Sequence, residues 1–169
     1  AAHRANASTT HIASFFPEAR MFGRLMNQEI AALDYVMQNP TRPLCAIMGG
    51  AKVSDKIVLI SSLLERVDKI IIGGGMAYTF VKAQGGQIGN SLCEEEHLAT
   101  ARELLAKAKE KGVELLLPVD AVNADKFADD AATSLSAIEA TPEGWMGLDI
   151  GEASCARFSQ AILESKTVF

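Results

Sequence analysis

No apolar run in this 169-residue sequence approaches the roughly 20 residues that a membrane-spanning helix needs, and the opening Ala1-Ala2-His3-Arg4-Ala5-Asn6 lacks the basic-then-apolar layout of a signal peptide. A cytosolic location is the expectation. Cys45, Cys93 and Cys155 are odd in number and far apart, with no CxxC and no Cys/His pair at metal-ligand spacing. That pattern favours a reduced, intracellular protein whose thiols are inert. An excess of positive charge is missing too. The net charge of −5 argues against broad binding to nucleic acid or to an anionic membrane, so a phosphate ligand would have to be met by a few local cations. Internal repeats and low-complexity tracts are absent. The chain also does not open on Met, which suggests a piece excised from a longer protein.

What is present is the material of a packed core. A hydrophobic fraction of 49% with 22% charged residues is ordinary for a globular protein, and the length suits one domain, or one domain plus part of another. From Met21 to Met37 the apolar residues Met21, Phe22, Leu25, Met26, Ile30, Leu33, Val36 and Met37 recur at three and four, which predicts an amphipathic helix stopped by Asn39-Pro40. Leu44-Cys45-Ala46-Ile47-Met48 reads as a buried parallel strand. Ser54 is placed to cap a helix beginning at Asp55, with Ile57, Ile60, Leu63, Leu64 and Val67 on its apolar side. Lys69-Ile70-Ile71-Ile72 follows as the next strand, completing a right-handed βαβ unit. Further along, the pattern predicts helices over 77–83, 94–111 and 153–163 and a strand over 114–117. A loop is expected across 144–151, and a last strand begins at Lys166. The fold class is α/β: a three-layer, Rossmann-like parallel sheet with helices on both faces, incomplete, preceded by a long helix. In open sheets of this kind the ligand sits at the carboxyl ends of the strands, so part of the site wall is expected from residues beyond Phe169.

Two glycine segments interrupt this pattern: Gly49-Gly50-Ala51-Lys52-Val53-Ser54-Asp55-Lys56 and Gly73-Gly74-Gly75-Met76-Ala77, each after an apolar run and each opening a helical stretch. Glycine after a strand lets the backbone approach a phosphate or a base, and the following helix points unpaired N–H groups at the anion. Familiar versions of such a site are missing. There is no GxxxxGK[ST] phosphate loop, Gly73-Gly74-Gly75 is not GxGxxG, and Ile72 leads straight into glycine where a dinucleotide domain places a ribose-binding carboxylate. Lys52 and Lys56, four apart, would face one phosphate chain if the first turn is helical from Val53; the alternative is two solvated lysines. Phosphoryl transfer needs such charges, because its transition state spreads negative charge over the transferred group. Asp55 reads as a helix N-terminal acceptor, with reach to a magnesium ion as the alternative. Trp145 and Met146, between glycines, either pack in the core or shape a flat slot for a purine. His3 and Arg4 are either anion ligands or solvated, and His11 and His97 carry no assigned role.

Taken in order, His3-Arg4-Ala5-Asn6-Ala7-Ser8, the segment 49–56, the segment 73–80, Leu116-Leu117-Pro118-Val119-Asp120 and the segment 144–151 resemble phosphoglycerate kinases in motif and spacing. The resemblance covers essentially the whole chain, but well under half of a complete enzyme of that family. It implies that 1–20 are the tail of an N-terminal substrate domain, 21–39 an interdomain helix and 40–169 part of a C-terminal nucleotide-binding domain. The family's enzymes use Mg2+ with ATP or ADP, act on 3-phosphoglycerate or 1,3-bisphosphoglycerate, and close two domains to bring the phosphates in line. By resemblance, Lys52 would stabilise the transferred phosphoryl group and Lys56 would bind the nucleotide phosphates beside Gly50 and Ala51. Gly73, Gly74, Gly75, Leu92, Gly147 and Leu148 would line the adenine pocket. His3 and Arg4 would face the acid substrate, Arg4 counting with the two lysines among the catalytic residues. Asn6 departs from the family's usual histidine and carries no charge. The implied whole enzyme is a cytoplasmic, glycolytic monomer, and this piece alone would be inactive. The runner-up reading is a non-catalytic adenine-nucleotide-binding module.

Overall fold

The computed structural model describes residues 6–169, which fall into two compact units meeting at Pro40 and Thr41. His3 and Arg4 lie outside the described residues. In the first unit, short helical turns over Ala7–His11 and Ile12–Phe15 precede α1, Arg24–Gln38. The helix expected from Met21 therefore begins three residues later. Gly23 takes an extended conformation (φ −66°, ψ 165°) as the N-cap, and its carbonyl accepts from Asn27 N–H at 3.0 Å. At the other end Asn39, the residue before Pro40, leaves the helical region (φ −130°), as the proline ring requires.

The second unit is built on a four-stranded parallel sheet of β1 (Leu44–Met48), β2 (Lys69–Ile72), β3 (Glu114–Leu116) and β7 (Thr167–Val168), in the order β3-β2-β1-β7. Its middle strands read as unbroken apolar runs, and those runs are buried along both faces except at Ile47, which is exposed. Cys45, Ile71 and Leu116 turn to one face and pack against Phe158 and Ala161 of α5 (Glu152–Leu163). Successive side chains alternate, so Leu44, Ala46 and Ile70 turn to the other face. Right-handed crossovers put α2 (Ile57–Leu63), α3 (Met76–Ala83) and α4 (Leu98–Lys111) there, and all three contribute fully buried side chains. Among the described residues no helix is long and apolar enough to cross a membrane.

Two expectations are corrected. The helix predicted from Asp55 starts at Ile57. Residues 54–56 form a turn closed by Lys56 N–H on the Val53 carbonyl (2.8 Å), and Ser54 is occupied by a partner elsewhere in the chain rather than by a cap. The segment 144–151, expected as a loop, contains β6 (Met146–Ile150), which joins β4 (Asp120–Ala124) and β5 (Thr133–Ala137) in an antiparallel sheet of order β5-β4-β6. These strands are short and rich in Ala, Ser, Thr and Gly, so no alternation of large apolar residues announces them. Pairing across the sheet makes them strands. The small sheet is held to α3 by a cluster of Tyr78, Val81, Ile88, Ala121 and Ile138.

Helix α4 ends where its stop signal stands: Gly112 is left-handed (φ 69°), and its N–H donates to the carbonyl of Lys109. A Cβ at Gly112 would meet nothing within 4 Å, so Gly112→Ala should cost only the left-handed backbone penalty, about 1–2 kcal/mol. Urea unfolding should show a lowered midpoint with an unchanged slope.

Candidate functional site

The order of the parallel sheet reverses between β1 and β7, and in open α/β sheets the crevice at the carboxyl end of such a reversal is where ligands bind. Both glycine turns open there. Gly73 N–H donates to the Met48 carbonyl at 2.8 Å and Met76 N–H to the Gly50 carbonyl at 2.9 Å, so the turn after β2 is laced to the turn after β1. Gly74 adopts φ +68°, and a Cβ on it would stand 2.8 Å from Gly50 O and 3.0 Å from Gly50 N. No side chain fits between the two backbones. A Cβ on Gly75 would stand 2.7 Å from Leu92 Cδ1, which places Leu92 directly against this turn.

Beside the glycines lies a slot of about 70 Å³ lined by Gly74, Gly75, Tyr78, Pro118, Gly147, Leu148 and neighbouring residues of β6. The structure thus brings Gly74, Gly75, Gly147 and Leu148 together from segments more than seventy residues apart. Gly73 sits one residue outside the lining, and Trp145 and Met146 are half-buried and do not line the slot. Tyr78, which the sequence did not single out, closes one wall. A Cβ at Gly147 would fall 1.6 Å from the Tyr78 hydroxyl, so only glycine lets β6 pass this ring. Burial pushes the Tyr78 phenol up to about 12, with a Ser91 hydrogen bond pulling it down and the Asp149 carboxylate adding to the rise. The phenol is therefore a neutral group across the working pH range. Ser91 Oγ accepts from Gly147 N–H at 2.9 Å and fixes the other side of the strand.

The lysine loop, residues 49–56, leaves the sheet at the same end. Lys52 is exposed and Lys56 half-buried, and among the described residues neither is held in an ion pair. They are not on consecutive turns of one helix, because residues 54–56 form a turn and α2 begins after Lys56. Asp55 is exposed on that turn, two residues ahead of α2, so it is not the helix N-terminal acceptor expected. Asp55 offers one exposed carboxylate, the kind of ligand magnesium takes alongside phosphate oxygens. Glu94, Glu96 and His97 also bring ligand atoms within 4.8 Å of one another, but both oxygens of Glu94 are already engaged by Ser54. His97 lies in that trio rather than at the slot.

A second polar anchor sits under β6. Asp120 Oδ2 accepts from Ala153 N–H and Oδ1 from Ser154 N–H, both at 2.9 Å, so a side chain from β4 caps α5. Ser154 Oγ, fully buried, donates to the same carboxylate and accepts from Val119 N–H at 2.8 Å. Gly151 is obligatory at the junction, since a Cβ would stand 2.2 Å from Asp120 Oδ2. Burial raises the Asp120 carboxyl, but the hydrogen bonds from Ser154, Ala153 and Gly151 outweigh it and hold the group below its ordinary value.

The phosphoglycerate kinase family model matches residues 1–169. The phosphoglycerate kinase of Synechococcus elongatus is 52% identical over 168 residues, covering 99% of this chain and 42% of that enzyme. That of Thermosynechococcus vestitus is 53% identical over 167 residues, with the same coverage. Among solved structures, phosphoglycerate kinase from Coxiella burnetii superposes with a TM-score of 0.87 at 42% identity, over 99% of this chain and 43% of that one. The chain therefore spans about two fifths of the length of the relatives it matches.

Asp120→Ala should remove the α5 cap and leave the buried Ser154 hydroxyl donating only through the longer bond to the backbone carbonyl of residue 120, lowering stability by about 1–3 kcal/mol in urea unfolding near neutral pH. Because the folded carboxyl titrates below the unfolded one, its contribution is complete above the unfolded value of about 3.9 and fades as pH falls through the lower folded value. The difference in stability between parent and variant should shrink over that acid window and be constant above it.

Proposed function

The chain belongs to the phosphoglycerate kinase family, and on that footing we propose that it is part of an enzyme that reversibly moves a phosphoryl group between 1,3-bisphosphoglycerate and ADP, giving 3-phosphoglycerate and ATP. The observation that carries this reading is the meeting, at the carboxyl end of a reversed parallel sheet, of a glycine-walled slot and a loop bearing two uncommitted lysines. The slot takes the adenine between Gly73–Gly75 and the Gly147-Leu148 strand, with Leu92 at its rim. Gly50 and Ala51 then run along the nucleotide phosphates.

Lys56 binds those phosphates, and Lys52 neutralises the charge that builds on the transferred group. In the direction of ATP use, a carboxylate oxygen of 3-phosphoglycerate bonds to the γ-phosphorus as the bond from that phosphorus to the bridging oxygen breaks. ADP leaves and the mixed anhydride forms, with no proton moved. Catalysis is therefore positioning and electrostatics. Magnesium, carried with the nucleotide, would supply further charge neutralisation, and Asp55 is the residue of this loop that would reach it. By the family resemblance, His3 and Arg4 contribute to binding the acid substrate. The rest of that substrate's site belongs to the remainder of the protein, so the 169-residue chain alone is inactive. The whole enzyme works as a cytoplasmic monomer.

In a coupled assay of the complete protein with ATP and 3-phosphoglycerate, Lys52→Ala should cut kcat by about a hundredfold or more while leaving the KM for 3-phosphoglycerate within a few-fold of the parent. Turnover that is absent from the parent while ATP still binds would point instead to a non-catalytic nucleotide-binding module. Turnover by residues 1–169 alone would contradict the division of labour proposed above.

A further inference from the structure

The loop that carries Lys52 and Lys56 is held in its middle by a residue forty positions away. Ser54, midway between the two lysines, donates its N–H to Glu94 Oε2 at 2.9 Å and its hydroxyl to Glu94 Oε1 at 2.6 Å. Two donors of one residue on two oxygens of one carboxylate fix both the position and the rotation of that residue, as a single bond would not. Glu94 is itself tethered, its N–H donating at 3.2 Å to Thr79 Oγ1, a side chain of α3 that is 1% exposed. Two residues before Glu94, Leu92 rests against Gly75. The short segment 92–94 thus touches the rim of the slot at one end and the lysine loop at the other.

Helix geometry does not orient Lys52; Lys56 is the N-cap of α2, its carbonyl accepting from Ile60 N–H at 2.8 Å and its N–H donating to the Val53 carbonyl at 2.8 Å, while its side chain lies outside the helical turns. Val53 is fully buried and anchors the loop to the core. We propose that Glu94 is a positioning residue for phosphoryl transfer: by clamping Ser54 it sets where Lys52 and Lys56 stand relative to the glycine turns. This rests on the kinase reading given above. Among the described residues Glu94 forms no ion pair with Lys52 or Lys56, and its two oxygens face Ser54. It therefore organises two cations without neutralising them.

The test uses the complete enzyme with Ser54→Ala, Glu94→Gln and the double variant, measured by steady-state kinetics and by hydrogen exchange at the amides of 52–56. Glu94→Gln should lower kcat by roughly ten- to a hundredfold, the range expected when a catalytic group is displaced by about an ångström, with the KM for 3-phosphoglycerate unchanged. Ser54→Ala should lower it less, and the double variant should match Glu94→Gln alone, because the two act through one contact. Exchange of the 52–56 amides should quicken in Glu94→Gln while global stability holds. Parental kcat in Glu94→Gln, multiplicative losses in the double variant, or unaltered exchange would each overturn the proposal. If the parent itself fails to transfer a phosphoryl group, the kinase reading falls and the positioning role with it, while the exchange data still report whether the clamp exists.

Discussion

Where β1 and β2 end, two stretches of backbone pass each other with no side chain between them, and the remaining geometry of the site is arranged around that contact. A Cβ at Gly74 would sit 2.8 Å from the Gly50 carbonyl oxygen, so the turn can close only as glycine, with the left-handed φ that glycine tolerates. Closing it permits Met76 N–H to reach Gly50 and Gly73 N–H to reach Met48. Those bonds set the start of α3, and α3 carries both Tyr78 for the slot and Thr79 for the anchor of Glu94. One close approach therefore places the wall of the slot and the support of the lysine loop together.

Around that contact the site is tied by two carboxylates, each reaching across to another segment of the chain. Glu94 holds the loop after β1, and Asp120 holds the first turn of α5 and with it the end of β6. Both accept several hydrogen bonds in partly dry surroundings, and both titrate lower than an ordinary carboxyl because those bonds outweigh the cost of burial. Among the described residues this arrangement leaves both lysines of the loop outside any ion pair, which suits a reaction whose transition state is stabilised by cations already in place.

The parallel sheet was legible because its signal is local. An apolar pentapeptide between Pro43 and Gly49, and Lys69-Ile70-Ile71-Ile72 before three glycines, could hardly be anything else, and both strands begin and end where their composition changes. Gly112 marked the end of α4 for the same reason. The antiparallel sheet was not legible. Asp120–Ala124 and Thr133–Ala137 are dominated by small and polar residues without a large apolar alternation, and the pairing of β4 with β6 joins residues more than twenty positions apart. Ser54 misled for a related reason: it has the chemistry of a cap, but instead of accepting from helix N–H groups it donates its own N–H and hydroxyl to a carboxylate forty residues on. Tyr78 gave no sign of its place in the slot, because an aromatic residue on an apolar helix reads as core.

The order of residues alone determined the fold class, the glycine turns and the residue types available for phosphate chemistry. Periodicity, turn propensity and charge are properties of neighbours along the chain. Only the tertiary structure decided that Gly147 and Leu148 face Gly74 and Gly75, that α2 begins after Lys56, and which carboxylates hold the loop and the strand in place. Those facts depend on contacts between segments 15 to more than 70 residues apart, and such contacts exist only once the sheet and its helices have packed.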